Sequence, residues 1–197
     1  MKLNHWCALA AGSVLSLAAA QLQSQGSDNE SLETAFVDGG RITINLSAGD
    51  HRITESADNH IRVRWDTGAR RRNEDVDANT LVDGNTASID IDGTRKNFRT
   101  FIEVPRRSDL IVRLSAGELF VGNVEGDKDI RLRAGDLTIE VGDAKDYAHV
   151  EGSVWAGDID ARPLDREASG LFRSIDWRGQ GKRELSFHLY AGDVTIL

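Results

Sequence analysis

The sequence predicts an all-β protein built as a single-domain β-solenoid of the β-helix or β-roll kind, and three observations support this fold class. An apolar-x-Ala-Gly-(Asp/Glu) pattern occurs five times along the 197 residues. Apolar and polar residues alternate on both sides of each occurrence, as they do in strands with one buried face. No stretch shows a helical period. A unit that returns in this way is typical of stacked repeat architectures.

The repeat predicts a corner in the chain at its glycine. Counted from the glycine, positions −5, −3 and −1 are apolar or small, and positions +2 and +4 are mostly apolar, so the alternation slips by one residue. A straight strand cannot accommodate this slip, because it would turn every later side chain to the opposite face. We expect glycine to supply a positive φ or a bulge, with the acidic residue outside the turn. The predicted corner glycines are Gly49, Gly117, Gly135, Gly157 and Gly192.

The spacing of the corners predicts one coil of the solenoid per repeat. Gly117 and Gly135 are 18 residues apart, and Gly135 and Gly157 are 22 apart, which is room for two or three strands and their turns. The gaps of 68 residues before Gly117 and 35 residues after Gly157 predict irregular terminal rungs. If the rungs stack in register, Glu118, Asp136 and Asp158 lie one above another at about 4.8 Å, the strand spacing.

The start of the chain differs in composition and predicts export. Lys2 precedes an apolar run over residues 7–20, and the run ends in three alanines. This is the pattern of a secretory signal peptide over residues 1–20 with cleavage after Ala20. A membrane anchor is the alternative, but 14 residues are short for a span of about 20. We expect a flexible polar leader over residues 21–34 and one domain over residues 35–197.

Charge and cysteine content exclude several classes of function. The net charge is −8, and removal of the signal peptide makes it −9, because Lys2 is the only charged residue lost. Such a chain is a poor binder of nucleic acid or of anionic surfaces in general. The single cysteine, Cys7, lies in the signal peptide, so the exported chain has no disulfide. With no second apolar run, the sequence predicts a periplasmic or secreted bacterial protein without an integral membrane segment.

Before the regular repeats, alternating and β-branched segments predict further strands. They lie at residues 41–46, 60–65, 88–91 and 100–104 and are separated by glycine-containing turns. The polar segment 67–79 predicts an exposed loop. Residues 171–181 interrupt the repeat before a final two-strand unit at residues 184–197.

These segments resemble the bacterial putative-adhesin domain family of unknown function. The resemblance rests on residues 102–105 (IEVP), 110–112 (LIV), 171–177 (LFRSIDW) and 189–194 (LYAGDV), together with the glycine-turn rungs, and covers about residues 35–197. It implies a repetitive, mostly parallel β-solenoid of exported or envelope-associated proteins. It supplies no catalytic or ligand-binding residues.

Motifs of enzymes and metal sites are absent from the sequence. There is no nucleophile elbow, no His-Glu-x-x-His, no phosphate-binding glycine loop and no cysteine pair, so we predict no catalytic, cofactor-binding or metal-binding residues. A calcium site is one interpretation of Glu118, Asp136 and Asp158. One carboxylate per rung supplies too few of the roughly 6 to 8 oxygens that calcium takes, so exposed turn carboxylates are favoured.

Two groups of residues are candidates for a ligand-binding face. Trp155 and Tyr190 both fall at the outward position −2 of their repeats, where aromatic rings can pack on sugar rings. The basic run Arg70, Arg71 and Arg72 can meet an anionic polysaccharide or a lipid headgroup. The alternatives are packing beneath a loop for the aromatic residues and a solvated loop for the arginines.

The sequence therefore predicts a non-enzymatic exported envelope protein, an adhesin-like module that binds or scaffolds an envelope glycan or an envelope protein. One alternative is a carbohydrate-active β-helix enzyme resembling a polysaccharide lyase, which needs a cluster of acidic or basic side chains on one outward wall. Another is a periplasmic accessory or sensor subunit of an envelope complex. Ligand identity, oligomeric state and the handedness of the coil stay open at this level.

Overall fold

The computed structural model describes residues 31–66, 76–93 and 98–197, and it is an all-β fold. Two short 3-10 turns, at Ala144–Asp146 and Arg162–Leu164, are the helical segments within these ranges, and neither is long and apolar enough to cross a bilayer. The strands are β1 (Ser31–Ala35), β2 (Gly40–Leu46), β3 (Gly49–Ser56), β4 (His60–Asp66), β5 (Asp77–Asp83), β6 (Thr86–Asp92), β7 (Arg99–Pro105), β8 (Ser108–Val121), β9 (Lys128–Ala134), β10 (Leu137–Ile139), β11 (Tyr147–Ala156), β12 (Ile159–Ala161), β13 (Arg166–Ala168), β14 (Leu171–Arg178), β15 (Arg183–Ala191) and β16 (Val194–Ile196).

The strands form two ladders that are joined by strand β8. The first ladder has the order β5, β6, β2, β8, β9, β15, β11, β14, and the second has the order β1, β4, β7, β3, β8, β10, β16, β12, β13. Strand β8 belongs to both, because its first part pairs with β2 and β9 while its last part pairs with β3 and β10. The sheet as a whole is mixed and open.

Parallel pairing fills the middle of both ladders, and antiparallel pairing closes their ends. In the first ladder the pairs from β6 to β11 are parallel, while β5 and β14 pair antiparallel at the two ends. In the second ladder β4 and β13 take the same end positions, and β1 adds one more antiparallel strand beyond β4. The mostly parallel sheet that the resemblance implied is therefore found in the middle only.

The order of the central strands differs from the order of the chain. Strand β15 lies between β9 and β11, and β16 lies between β10 and β12. The expectation that Asp136 and Asp158 lie directly one above the other is therefore wrong. The C-terminal unit at residues 183–196 inserts between two earlier rungs, so Asp193 separates Asp136 from Asp158.

The corner glycines stack in one column, with the spatial order Gly49, Gly117, Gly135, Gly192, Gly157. Four of them have φ between 118° and 143°, as the corner prediction requires, and Gly49 is the exception. A Cβ atom on any of these four would overlap the carbonyl oxygen of the preceding glycine in the column. Glycine is required here both by the backbone conformation and by the close approach of the rungs.

The aspartates of the corner connect each rung to the next. Oδ1 of Asp136 accepts a hydrogen bond from the backbone N–H of Asp193 at 3.1 Å, and Oδ1 of Asp193 accepts one from Asp158 N–H at 2.9 Å. Oδ1 of Asp158 accepts from Gly170 N–H at 3.2 Å. These carboxylates face water, as predicted, and they also supply acceptors for backbone donors that the bend leaves without a ladder partner.

A single apolar core fills the space behind the repeats. The residues at positions −3, +2 and +4 are buried in all five repeats, which confirms the predicted alternation and its slip at the glycine. Position −5 holds an unusual pair, because Gly152 pairs with Phe187 across neighbouring strands and a Cβ on Gly152 would overlap the Phe187 ring. The missing side chain of one rung makes room for the large ring of the next.

The predicted early strands are confirmed as β2, β4, β6 and β7. Two further strands include residues for which the sequence predicted no strand. Residues 31–34, assigned to the leader, belong to β1, and residues 77–79, assigned to the exposed loop, begin β5.

Candidate functional site

The outward side of the first ladder carries one row of side chains that changes in character from polar to aromatic. The row takes the residue two positions before each corner glycine, which lies directly after β2 and within β8, β9, β15 and β11, and register pairing continues it onto β14. We call it the outward row. In spatial order it comprises Ser47, Ser115, Arg133, Tyr190, Trp155 and Phe172.

Three aromatic rings of the outward row touch one another. Tyr190 and Trp155 stack with their centroids 4.7 Å apart and their planes at 5°, and Phe172 meets Trp155 edge to face at 5.4 Å. They stay exposed, with 57%, 43% and 69% of the surface of Tyr190, Trp155 and Phe172 accessible, and Leu171 beside them is 58% accessible. We call these four residues the aromatic ridge. Contiguous exposed apolar side chains mark interaction surfaces in soluble proteins.

The backbone of Phe172 is unusual for its residue type. Its φ is 54°, in the left-handed region that non-glycine residues avoid. Holding a residue there costs on the order of 1 kcal/mol or more, and such costs are concentrated at functional sites. The ridge is thus formed partly by a residue whose local conformation is unfavourable and whose side chain is largely in water.

Next to the ridge lies a group of arginines with few partners. Arg113 and Arg131 stand directly opposite each other on β8 and β9, and Arg133 follows two residues later on β9. Arg131 forms an ion pair with Asp129 at 3.0 Å. For Arg113 and Arg133, the described part of the chain provides no ion pair and no side-chain hydrogen bond.

These arginines line a shallow groove of about 430 Å³. Polar side chains of Asn45 and Ser115 line it as well, and leucine residues form part of its floor. We call it the arginine groove, meaning Arg113, Arg131 and Arg133 with Asn45 and Ser115. Arg133 and Ser115 belong to both the groove and the outward row, so groove and ridge form one continuous surface.

The structure brings together some of the predicted site residues and leaves others out. Trp155 and Tyr190 lie together in the outward row, as their repeat position suggested. Arg70, Arg71 and Arg72 lie outside the described residues. Trp65 and Trp177 are half-buried against the core.

Sequence reasoning missed Phe172, Leu171 and the arginine groove. Phe172 lies outside the repeat, so no repeat position indicated its direction. Arg113 and Arg131 occupy the outward position −4 and Arg133 the position −2. The repeat therefore indicated that the three arginines point the same way. A search for aromatic residues or for consecutive arginines does not find them.

Two buried titratable groups lie at the starts of β9 and β11, at the other end of these strands from the outward row. Lys128 points into the core between Leu110 and Leu185, and it donates to the Oη atom of Tyr147 at 3.0 Å and to the carbonyl oxygen of Gly126 at 3.2 Å. Burial lowers the pKa of Lys128 to about 8, and burial raises the pKa of Tyr147 to about 12. Both are almost fully buried, so neither can meet a ligand at the surface.

Among the described residues, no group of three or more His, Cys, Asp or Glu side chains is arranged to hold a metal ion. The corner carboxylates of Asp136, Asp193 and Asp158 each accept a backbone N–H from the neighbouring rung. That geometry gives the acidic column a structural role.

Comparisons with known proteins support the fold. No model of a known protein family and no curated protein matches the sequence. A putative cell adhesion protein from Clostridium sporogenes superposes with a TM-score of 0.51 at 12% identity, covering 84% of this chain and 97% of that chain. At this identity the likeness shows a shared fold alone.

Two further solved structures are more distant. A putative adhesin from Parabacteroides merdae has a TM-score of 0.24 at 10% identity, with 56% of this chain and 60% of that chain covered. A putative adhesin from Parabacteroides distasonis has a TM-score of 0.25 at 12% identity, with 84% and 68% covered. Superpositions this weak carry no argument about this chain.

Proposed function

We propose that the protein is an exported, non-enzymatic binding module of the adhesin type, which binds its ligand through the outward row of the first ladder. The observation that carries the proposal is the aromatic ridge. Three rings on three neighbouring strands remain in water, although two of these strands, β15 and β11, bury alternate residues on the other side of the sheet. Large exposed aromatic side chains are the usual anchors of binding surfaces.

The two ladders support a finer proposal for the architecture, namely that the chain is a short β-solenoid. The parallel central strands are joined at stacked glycine corners, which is how a coil turns from one face to the next. The antiparallel strands at both ends are then its terminal caps, and they limit stacking of one molecule onto another.

The composition of the surface supports binding in preference to catalysis. Catalysis needs titratable groups that face each other with pKa values suited to proton transfer. The groove and ridge offer mainly arginines and aromatic rings, and Asp129, a carboxylate beside them, is paired with Arg131. The nearby His188, opposite Arg131, is hydrogen-bonded to Ser153 at 2.9 Å. Arginine and aromatic side chains bind without exchanging protons at neutral pH.

Residues 1–20 support export, although they lie outside the described residues. The proposal predicts that the mature protein begins at Gln21 and accumulates in the periplasm or the medium. N-terminal sequencing of the protein recovered from each cell fraction tests this. A chain that retains Met1 in the cytoplasm contradicts the export proposal and leaves the binding surface to be tested separately.

The binding proposal is tested by retention on a glycan array, combined with an assay for new reducing ends on each retained glycan. We expect retention on at least one glycan, loss of retention in the double variant Trp155→Ser/Tyr190→Ser, and no new reducing ends. Release of reducing ends that is abolished by changing an exposed carboxylate would make the protein an enzyme. Retention that is unchanged in the double variant would place binding elsewhere.

A further inference from the structure

The arginine groove is electrostatically unfavourable in the unliganded protein. Arg113 and Arg131 are directly opposite on adjacent strands, an arrangement in which like charges destabilise a sheet. Asp129 compensates only Arg131, and Arg133 adds a third positive charge two residues along β9. This concentration occurs in a chain whose net charge is −8. A local positive cluster in an acidic protein is complementary to an anionic ligand.

The ring of Tyr190 offers one open face towards this cluster. Its other face is stacked on Trp155 of β11. Because β15 lies between β11 and β9, the open face is on the side of Arg133, whose neighbours Leu132 and Ala134 pair with Leu189 and Ala191. Within the described residues, no ring or cation packs on that face. The site therefore combines a free aromatic face with a guanidinium on the next strand.

A ligand that uses both features has an apolar ring face and a carboxylate on the same unit. The ring face packs on Tyr190, and the carboxylate accepts two parallel hydrogen bonds from an arginine, the geometry that a guanidinium provides best. The side chain of Ser115, and that of Asn45 beyond its hydrogen bond to Asp90 at 2.7 Å, offer hydrogen bonds to hydroxyl groups. A uronic acid, which is a sugar with a ring carboxylate, has all three properties.

The dimensions of the surface favour a linear polymer. The outward row crosses six neighbouring strands, which corresponds to about 24 Å at the usual strand spacing. A chain of acidic sugars can lie along the row and meet the arginines and the tyrosine with successive units. Repeated weak contacts along one chain add up to useful affinity.

A flat anionic membrane fits this surface less well. The corner acidic residues follow the outward row by three residues, and all five are exposed: Asp50, Glu118, Asp136, Asp158 and Asp193. An extended anionic surface that touched the row would also touch these carboxylates and be repelled. A narrow polymer can contact the row alone.

We propose that the arginine groove and the open face of Tyr190 together bind a linear acidic polysaccharide built from uronic acids. This rests on the proposed binding function and names the class of ligand for the same surface. Arg133 and Arg113 bind the carboxylates, and the open face of Tyr190, at the edge of the ridge, packs on a sugar ring.

The test is a calorimetric titration of the protein with polygalacturonate, with dextran, poly-L-glutamate and phosphatidylglycerol vesicles as separate probes. We expect binding of polygalacturonate that weakens as salt rises, and at least about a tenfold loss of affinity in Arg113→Gln/Arg133→Gln. Tyr190→Ala should lose at least about fivefold, whereas Tyr190→Phe keeps the ring and should bind as the unmodified protein does. The matched control is Arg178→Gln, an exposed arginine six residues from Phe172 along β14, which should leave binding unchanged.

Each contrary outcome overturns the inference in a different way. Equal affinity for poly-L-glutamate would show that charge alone is recognised, and tighter binding of vesicles would identify a lipid surface. Binding of polygalacturonate that does not change in Arg113→Gln/Arg133→Gln would place the site elsewhere. If polygalacturonate is not bound while a neutral glycan is retained on the array, the acidic ligand is wrong and the binding function stands.

Discussion

The corner column and the outward row lie within three residues of each other along the chain, but they depend on different parts of it. The corner column consists of the five repeat glycines and the acidic residues after them, and it is held by backbone conformation and backbone hydrogen bonds. The outward row is made of side chains that project into water and that differ from strand to strand. The glycines of the column accept almost no variation in residue type, whereas the row can change its chemistry while the fold persists.

The largest effect is expected at a corner glycine. Gly135→Ala should destabilise the fold by about 3 kcal/mol or more, because φ is 118° and the added Cβ would overlap the Gly117 carbonyl oxygen. Gly84→Ala is the control, since Gly84 also has positive φ but an added Cβ would meet no atom within 4 Å. It should cost about 1 kcal/mol in equilibrium denaturation. Equal costs for the two variants would show that rung contact does not matter.

The next effect tests whether the fold depends on matched side-chain sizes at position −5 as strongly as it depends on the corner glycines. Gly152→Ala should cost about 2 kcal/mol, because its Cβ would overlap the buried Phe187 ring. Phe187→Leu should relieve that overlap, so the double variant should be more stable than the sum of the two single changes implies. Denaturant unfolding of all three variants measures the coupling. Strict additivity would mean that the two residues do not pack together.

Strand β9 carries cations on both of its faces, which allows an inward charge to be compared with outward ones. The pKa of Lys128 is lowered to about 8 from about 10.4 in an unfolded chain, so between these pH values the unfolded state binds more protons and stability rises with pH. Lys128→Met/Tyr147→Phe should raise stability at pH 7 by on the order of 2 kcal/mol and remove this rise. Urea unfolding from pH 7 to 10 measures it. A rise with pH that persists in the variant would assign the effect to another group.

The smallest effect at the corner concerns its carboxylates. Asp136→Ala removes the acceptor for Asp193 N–H and should cost about 1 kcal/mol, whereas Asp136→Asn keeps an oxygen acceptor and should cost little. Chelator should leave the melting temperature of the unmodified protein unchanged. If the Asn variant costs as much as the Ala variant, or if calcium raises the melting temperature, the charge of the column matters more than its hydrogen bonds.

The strands, the corners and the buried positions could be predicted from the sequence, because each follows from local rules of alternation and backbone conformation. The neighbour of each rung could not, since every rung presents nearly the same apolar pattern to the rungs beside it. One signal was present: Gly152 and Phe187 depart in opposite directions from the usual size at position −5, as a compensating pair of neighbours does. The repeat also indicated the direction of Trp155 and Tyr190.

Phe172 could not be predicted in the same way. It lies on β14, outside the repeat, and reaches the ridge through antiparallel pairing with β11 and a left-handed backbone conformation. The groove arginines were visible at repeat positions −4 and −2, but their significance depends on which strands are adjacent. The scaffold could therefore be predicted more completely than the surface, because the surface depends on which strands are adjacent.

The most direct test of the separation between column and row is the triple variant Arg113→Gln/Arg133→Gln/Tyr190→Ala, in which thermal unfolding and polygalacturonate binding are measured on the same sample. All three changes fall on the outward row or the groove and leave every corner glycine in place. We predict that polygalacturonate binding is lost while the melting temperature stays within about 2 °C of the unmodified protein or rises, because a repulsive arginine pair is removed. A fall of about 5 °C or more, or full retention of binding, would contradict the claim that this surface serves the ligand and not the fold.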